Sequence, residues 1–302
     1  MGARIEAAAT ATHRGRIFSR GALHLGDSAA ETCLRRTHRE PDELDVLINA
    51  GIYKDRNTAE PALASLIQED IGANAGEIRL GHHGTFSFDI ANGGCGVITA
   101  AQLLDGLVEH GPARLAMIVA ADADPSPRTS RGFPFGAAGG AMLIARGTEH
   151  GGFQRFAVRT FSEYANLFEA QLRWDAHAGF AHHFGRNVVE IVAAPELPER
   201  CLECAEHVAR ELCDGVVALD AIDLLITSQY PPRFGVELAH RLGIASERVP
   251  SVRAELADAH TAGPIAALEA ASETGQFQRA RHVLFVTVGA GITVAAALYD
   301  RP

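Results

Sequence analysis

The sequence predicts a layered α/β protein with mixed sheets, built as two pseudo-repeated halves around buried central helices. Three observations predict it. The order strand, helix, helix, strand, strand occurs twice along the 302 residues. Each occurrence opens on a short apolar run after acidic residues, the form of a buried strand. The second helix of the first half is apolar around most of its circumference, as a helix packed on all sides must be.

Taken in order, the run Asp45 to Gly51 (DVLINAG) is the first buried strand and Asp223 to Gln229 (DLLITSQ) is its counterpart. A helix follows each, over 59–71 and 233–242. Gly72 and Gly243 sit just past the last apolar turns, where a left-handed residue stops a helix. The next helix runs from Cys95 through Val97, Ala100, Ala101, Leu104 and Val108, and its counterpart from Thr261 through Ile265, Leu268 and Ala271. The strands 115–121 and 141–145 close the first half. The strands 282–288 and 292–298, joined by Gly289-Ala290-Gly291, close the second. The division falls at residues 1–150 and 151–302. The segment from Gly151 to Asp220 reads as polar and irregular, then as a helix over 197–213. A further helix begins near Asp27 with little before it.

Composition narrows the function. Apolar residues make up 47% and charged residues 21%, ordinary for a globular chain. The net charge of −10 leaves no basic face, so nucleic acid is not an expected partner. The densest basic run, Arg35 to Arg39, reads as the solvated end of a helix, with a docking patch for an acidic carrier protein as the alternative. Five cysteines, an odd number with scattered spacing, do not form a disulfide framework, and no apolar run is long enough to span a membrane. The N-terminus lacks the apolar core of a signal peptide, so a cytoplasmic protein is expected. No metal is expected: Cys201, Cys204 and His207 share a helix at i, i+3, i+6 but need further ligands.

Cys95 stands out. It lies in Phe88-Asp89-Ile90-Ala91-Asn92-Gly93-Gly94-Cys95-Gly96, where glycines allow a tight turn into a helix and close approach of a substrate. A thiol at a helix N-terminus feels the positive end of the dipole, which favours the thiolate, and the N–H groups there can bind an oxyanion. A buried structural cysteine is the alternative. His260 occupies the matching place in the second half, so a pseudo-two-fold arrangement lets the two face each other.

Four segments, in order and spacing, resemble β-ketoacyl-ACP synthase III of the thiolase superfamily. They are PALASLIQEDIGA (61–73), FDIANGGCGVITAAQL (88–103), PFGAAGGAML (134–143) and VTVGAGITVAAAL (286–298). The resemblance implies a thiolase-like fold and a homodimer. It also implies Cys95 as the residue that takes an acyl group from acyl-CoA or acyl carrier protein, which are substrates rather than permanently bound cofactors. In the family's Cys, His, Asn triad the His lies in a His-Gln-Ala-Asn motif. Here Ser228 stands in its place, Gln229 is retained, and His260 stands where the Asn lies. The resemblance thus implies catalytic Cys95, His260 and Ser228, with Gly291, Gln229 and Asp258 positioning the oxyanion, the substrate or His260. The lost His weighs against decarboxylative condensation, because Ser is a shorter donor for an enolate.

Three functions remain open on the sequence. The first is acyl transfer through Cys95 to a small-molecule acceptor in specialised metabolism, with His260 as base. The second is a carbon–carbon bond-forming synthase with a Cys–His pair. The third is a non-catalytic partner in a heterodimer. Phe133 and Phe135 border the acyl channel or belong to the core.

Overall fold

Strands β2 (Val46–Asn49) and β9 (Leu224–Thr227) are the two short apolar runs, and each is buried along its whole length. In the computed structural model, which describes residues 2–12, 21–76, 84–126, 130–147, 151–176 and 185–301, they organise two mixed sheets. The first contains β1 (Ala3–Thr12), β2, β3 (Phe86–Asp89), β4 (Leu115–Asp122) and β5 (Ala138–Arg146), in the order β1-β5-β4-β2-β3. The second contains β6 (Gly152–Thr160), β9, β10 (His282–Gly289) and β11 (Thr293–Asp300), in the order β6-β11-β10-β9. β2 runs parallel to β4 as β9 does to β10, and the β4–β5 and β10–β11 pairs are antiparallel. The pseudo-repeat is therefore visible strand by strand.

The helices divide into three layers. α1 (Ala22–Thr37) and α2 (Leu63–Asp70) cover the outer face of the first sheet. α4 (Leu197–Cys213) and α5 (Phe234–Leu242) cover the outer face of the second. α3 (Gly96–His110) and α6 (Gly263–Glu273) share one apolar cluster with strands of both sheets. This is the thiolase-like layering of two sheets around buried central helices. Val97, Ile98, Leu104 and Val108 of α3 are at most 1% exposed, which contributes roughly 6–12 kcal/mol before chain entropy is set against it. The expected stops hold: Gly72 and Gly243 take φ of 77° and 72°. No helix among the described residues is long and apolar enough to cross a membrane.

Two segments differ from expectation. The stretch before the first helix holds β1, an edge strand of Ala and Thr whose weak alternation hides it. That helix begins at Ala22, where the Asp55 carboxylate accepts the N–H groups of Ala22 and Leu23. The segment read as irregular holds β6 and an antiparallel hairpin of β7 (Phe168–Asp175) and β8 (Arg186–Ala193). The hairpin pairs chiefly with itself: β7 buries no residue and leaves Leu172 and Trp174 exposed, and β8 buries Val188, Val189 and Ile191 without a strict alternation that would mark it as a strand. α7 (Gln276–Arg279) leads into β10. The basic run at the end of α1 is held by intramolecular ion pairs: Arg35 with Glu31, Arg36 with Glu269, Arg39 with Glu6 and Glu43. His82, His83, His182 and His183 lie outside the described residues.

Candidate active site

A cleft of about 300 Å³ opens where the C-terminal ends of the central strands meet. One end is backbone and small side chains: Gly93 and Gly94 before α3, Ser228 after β9, and Gly289 and Ala290 in the β10–β11 turn. The other is aromatic: Tyr53 and Phe135 lie against His260, and Phe168 and Tyr230 lie against Phe135. None of the wall residues is Asp, Glu, Lys or Arg.

His260 is 12% exposed at its side chain, and its Nδ1 lies 3.1 Å from Asp122 Oδ2. Asp122 ends β4 and is 2% exposed. Its Oδ1 accepts the N–H groups of Ile52 (2.8 Å) and Tyr53 (2.7 Å). Its Oδ2 accepts the N–H (3.0 Å) and the hydroxyl (2.6 Å) of Thr261. Burial alone would raise this carboxyl. The charge and hydrogen bond of His260, with the Thr261 hydroxyl and Tyr53 N–H, hold it below the usual carboxylate range. Asp122 is therefore an ionised, acceptor-only group, so His260 Nδ1 donates to it and Nε2 is the ring nitrogen left over. One carboxylate also fixes Tyr53 and Thr261, on two further segments.

Ser228 is 3% exposed and lines the cleft. Its Oγ accepts the Val288 N–H at 3.0 Å, which leaves its own proton to donate. Ala290 presents a backbone N–H that no described residue engages.

Cys95 is close by but not on the cleft wall. It is 0% exposed, and its thiol donates to the carbonyls of Thr293 (3.2 Å) and Thr287 (3.5 Å). Burial pushes its pKa up to about 12, against the helix-dipole expectation of a thiolate. Successive residues at a helix start are about 100° apart around the axis. Gly94 lines the cleft, and Cys95 is rotated onto β10 and β11. Nor can a side chain replace Gly94 at no cost, since a Cβ there would lie 2.2 Å from the Val288 carbonyl oxygen.

The structure thus brings His260 and Ser228 to one cleft and leaves Cys95 behind its wall. Three positioning expectations change. Asp258 is exposed and does not hold His260; Asp122 does, because the loop before α6 packs against the end of β4. Gly291 is the φ 103° residue of the turn, and Gly289 and Ala290 reach the cleft instead. Gln229 turns its amide onto the Thr227 carbonyl at 3.1 Å. Sequence reasoning missed Asp122, Tyr53 and Tyr230. An aspartate ending the fully buried run of β4 was the available signal for the first.

Cys201, from α4, is on the wall but 3% exposed, and burial pushes its pKa up to about 12. Cys33 and Cys204 are core residues of their helices, and His240 is exposed on α5. Among the described residues, no group of three or more His, Cys, Asp or Glu is arranged to hold a metal.

The C-terminal part, residues 214–301, matches the family model of the 3-oxoacyl-[acyl-carrier-protein] synthase III C-terminal domain. The β-ketoacyl-[acyl-carrier-protein] synthase III of Aquifex aeolicus is 25% identical over 280 residues, 91% of this chain and 82% of that one. Its crystal structure superposes with a TM-score of 0.77 at 21% identity, covering 99% of this chain and 100% of that one. The synthase III of Pseudomonas aeruginosa gives 0.78 at 18% identity over 100% and 99% of the two chains. OleA of Xanthomonas campestris, solved with lauric acid and lauroyl-CoA, gives 0.79 at 15% identity over 100% and 99%.

Proposed function

We propose that this chain, a β-ketoacyl-ACP synthase III-like protein of the thiolase superfamily, transfers an acyl group from a thioester directly to an acceptor held at His260. The observation that carries the reading is the buried Asp122–His260 pair, which engages Nδ1 and leaves Nε2 to serve a cleft whose described walls hold no carboxylate or amine. The acceptor gives its proton to Nε2 as it attacks the thioester carbonyl. The Ser228 hydroxyl and the Ala290 N–H donate to the developing oxyanion. The intermediate collapses, the carbon–sulfur bond breaks, and the leaving thiolate takes the proton back from His260. Acyl-CoA or acyl carrier protein is the donor, as the relatives' names and the lauroyl-CoA bound by OleA suggest.

The route through an acyl-Cys95 requires the thiol to leave two carbonyls and turn into the cleft. Its burial supports the direct route instead. The same burial, with Ser228 in the place of a histidine, also favours a second reading, the non-catalytic partner of a heterodimeric synthase. Turnover of a thioester panel by wild type and His260→Ala separates the two. Transfer lost in the variant supports the enzyme, and no transfer from any donor by wild type supports the partner. A dimer is part of the proposal. Among the described residues the edge strand β3 pairs only with β2, Phe86 on it is 63% exposed, and Leu103 and Leu107 of α3 are 45% and 37% exposed.

A further inference from the structure

The two ends of the cleft differ in chemistry, and His260 lies at the aromatic one. The Phe135 ring stacks on the imidazole at 4.1 Å and 24°, and Tyr53 lies 5.4 Å from it. Tyr230 meets Phe135 edge-on at 5.1 Å and 77°, and Phe168 lies 6.4 Å from it. A molecule whose X–H reaches His260 Nε2 must therefore lie against these rings. Flat ring faces and edges at this spacing favour a planar guest over a flexible chain.

Two polar atoms in that wall have no use within the protein. Tyr53 is 8% exposed, yet the hydroxyls of Tyr53 and Tyr230 have no hydrogen-bond partner among the described residues. Burial pushes both phenols above the usual tyrosine range, so they stay protonated and are donors at any ordinary pH. Both residues line the open cleft, and neither hydroxyl is a buried unpaired atom, so these donors are available to an oxygen of a ligand seated there.

We propose that the acyl acceptor is an oxygenated aromatic alcohol or amine, its ring seated among Tyr53, Phe135 and Tyr230 and a second oxygen accepting from the two phenol hydroxyls. This rests on the acyl-transfer reading. The nucleophilic X–H sits on a short arm that reaches His260, and the thioester carbonyl lies at the Ser228 and Ala290 end. The volume of about 300 Å³ suits one ring together with the end of a thioester.

The test measures binding and turnover separately. Benzyl alcohol, para-methoxybenzyl alcohol, cyclohexylmethanol and hexanol are titrated against the wild-type protein, followed by ligand-observed NMR. The aromatic alcohols should bind about tenfold more tightly than the saturated ones, from two ring contacts. The methoxy compound should gain about a further fivefold, and Tyr53→Phe or Tyr230→Phe should remove that gain and leave benzyl alcohol unchanged. Equal binding of aliphatic and aromatic probes, or a methoxy advantage that survives both variants, overturns the proposal. Transfer to aliphatic alcohols without aromatic preference refutes this acceptor class and leaves the transfer reading standing. Selective aromatic binding with no transfer from any thioester refutes the transfer reading and, with it, the role as acceptor.

Discussion

Asp122→Asn is the most informative single change in the site. The substitution is nearly isosteric, so packing is preserved. Oδ1 can remain the oxygen that accepts from Ile52 and Tyr53. The new amide then stands at Oδ2, facing the His260 Nδ1, the Thr261 N–H and the Thr261 hydroxyl. The Thr261 N–H meets a donor and goes unsatisfied, and the charge assistance of the other bonds is lost, which together cost about 2–5 kcal/mol of stability. His260 can satisfy the amide only by accepting at Nδ1, which moves its proton to Nε2. The base is then lost, and transfer should fall by about 100- to 10,000-fold. The assay is acyl transfer from a thioester, followed by release of free thiol, with thermal unfolding measured alongside. Thr261→Val is the control: it removes the Thr261 hydroxyl, leaves the His260 tautomer alone, and should lower stability more than rate. A folded Asp122→Asn protein with wild-type turnover would refute the assignment of His260 as base.

Gly94→Ala should destabilise the fold by about 1–3 kcal/mol and lower transfer, because its Cβ would meet the Val288 carbonyl and push the cleft wall outward; unchanged melting and turnover would contradict the contact. Asp27 has a buried Oδ1 without a partner among the described residues, and burial, then the charges of Asp70, Glu31 and Asp55, raise its pKa to about 7. Its folded state favours the neutral acid, so its contribution is full below about pH 4 and is lost as pH rises to about 7. Asp27→Asn should therefore stabilise the protein at pH 8 by about 1–2 kcal/mol, discounted for its half-exposed position, and change little at pH 4. All five thiols are raised by burial, to about 11 or 12. A thiol-disulfide exchange reagent at pH 7.5 should label none of them quickly and all of them in denaturant, and stability should fall as pH rises through about 9 toward 11.

Most of the fold was legible because buried strands and helices carry their periodicity in the chain. β2, β4, β9, β10 and β11 begin and end within a residue or two of their apolar runs, and α4 spans the expected range. β1 and the β7–β8 hairpin were not legible, since an Ala- and Thr-rich edge strand and a largely exposed ribbon leave no alternation. In the site, His260 was singled out by its place in the pseudo-repeat and, with Ser228, by the resemblance to the family's triad, and both line the cleft. The direction of Cys95 was not legible, because one residue at a helix start turns a side chain about 100°, and which residue faces the cleft depends on the register of that turn. Asp258 was the nearest carboxylate to His260 in sequence, and Asp122 is the one that bonds it in space, brought there from 138 positions away by the loop before α6 packing against the end of β4.

The proposed acyl transfer needs His260 and not Cys95. Intact-protein mass spectrometry after exposure to a panel of acyl-CoA and acyl-carrier thioesters tests it most directly, run beside turnover of wild type, Cys95→Ala and His260→Ala. The account predicts no acyl mass gain on wild type, turnover retained in Cys95→Ala and lost in His260→Ala. A stoichiometric mass gain equal to the acyl group, absent in Cys95→Ala together with its turnover, would contradict it and restore the cysteine as the carrier.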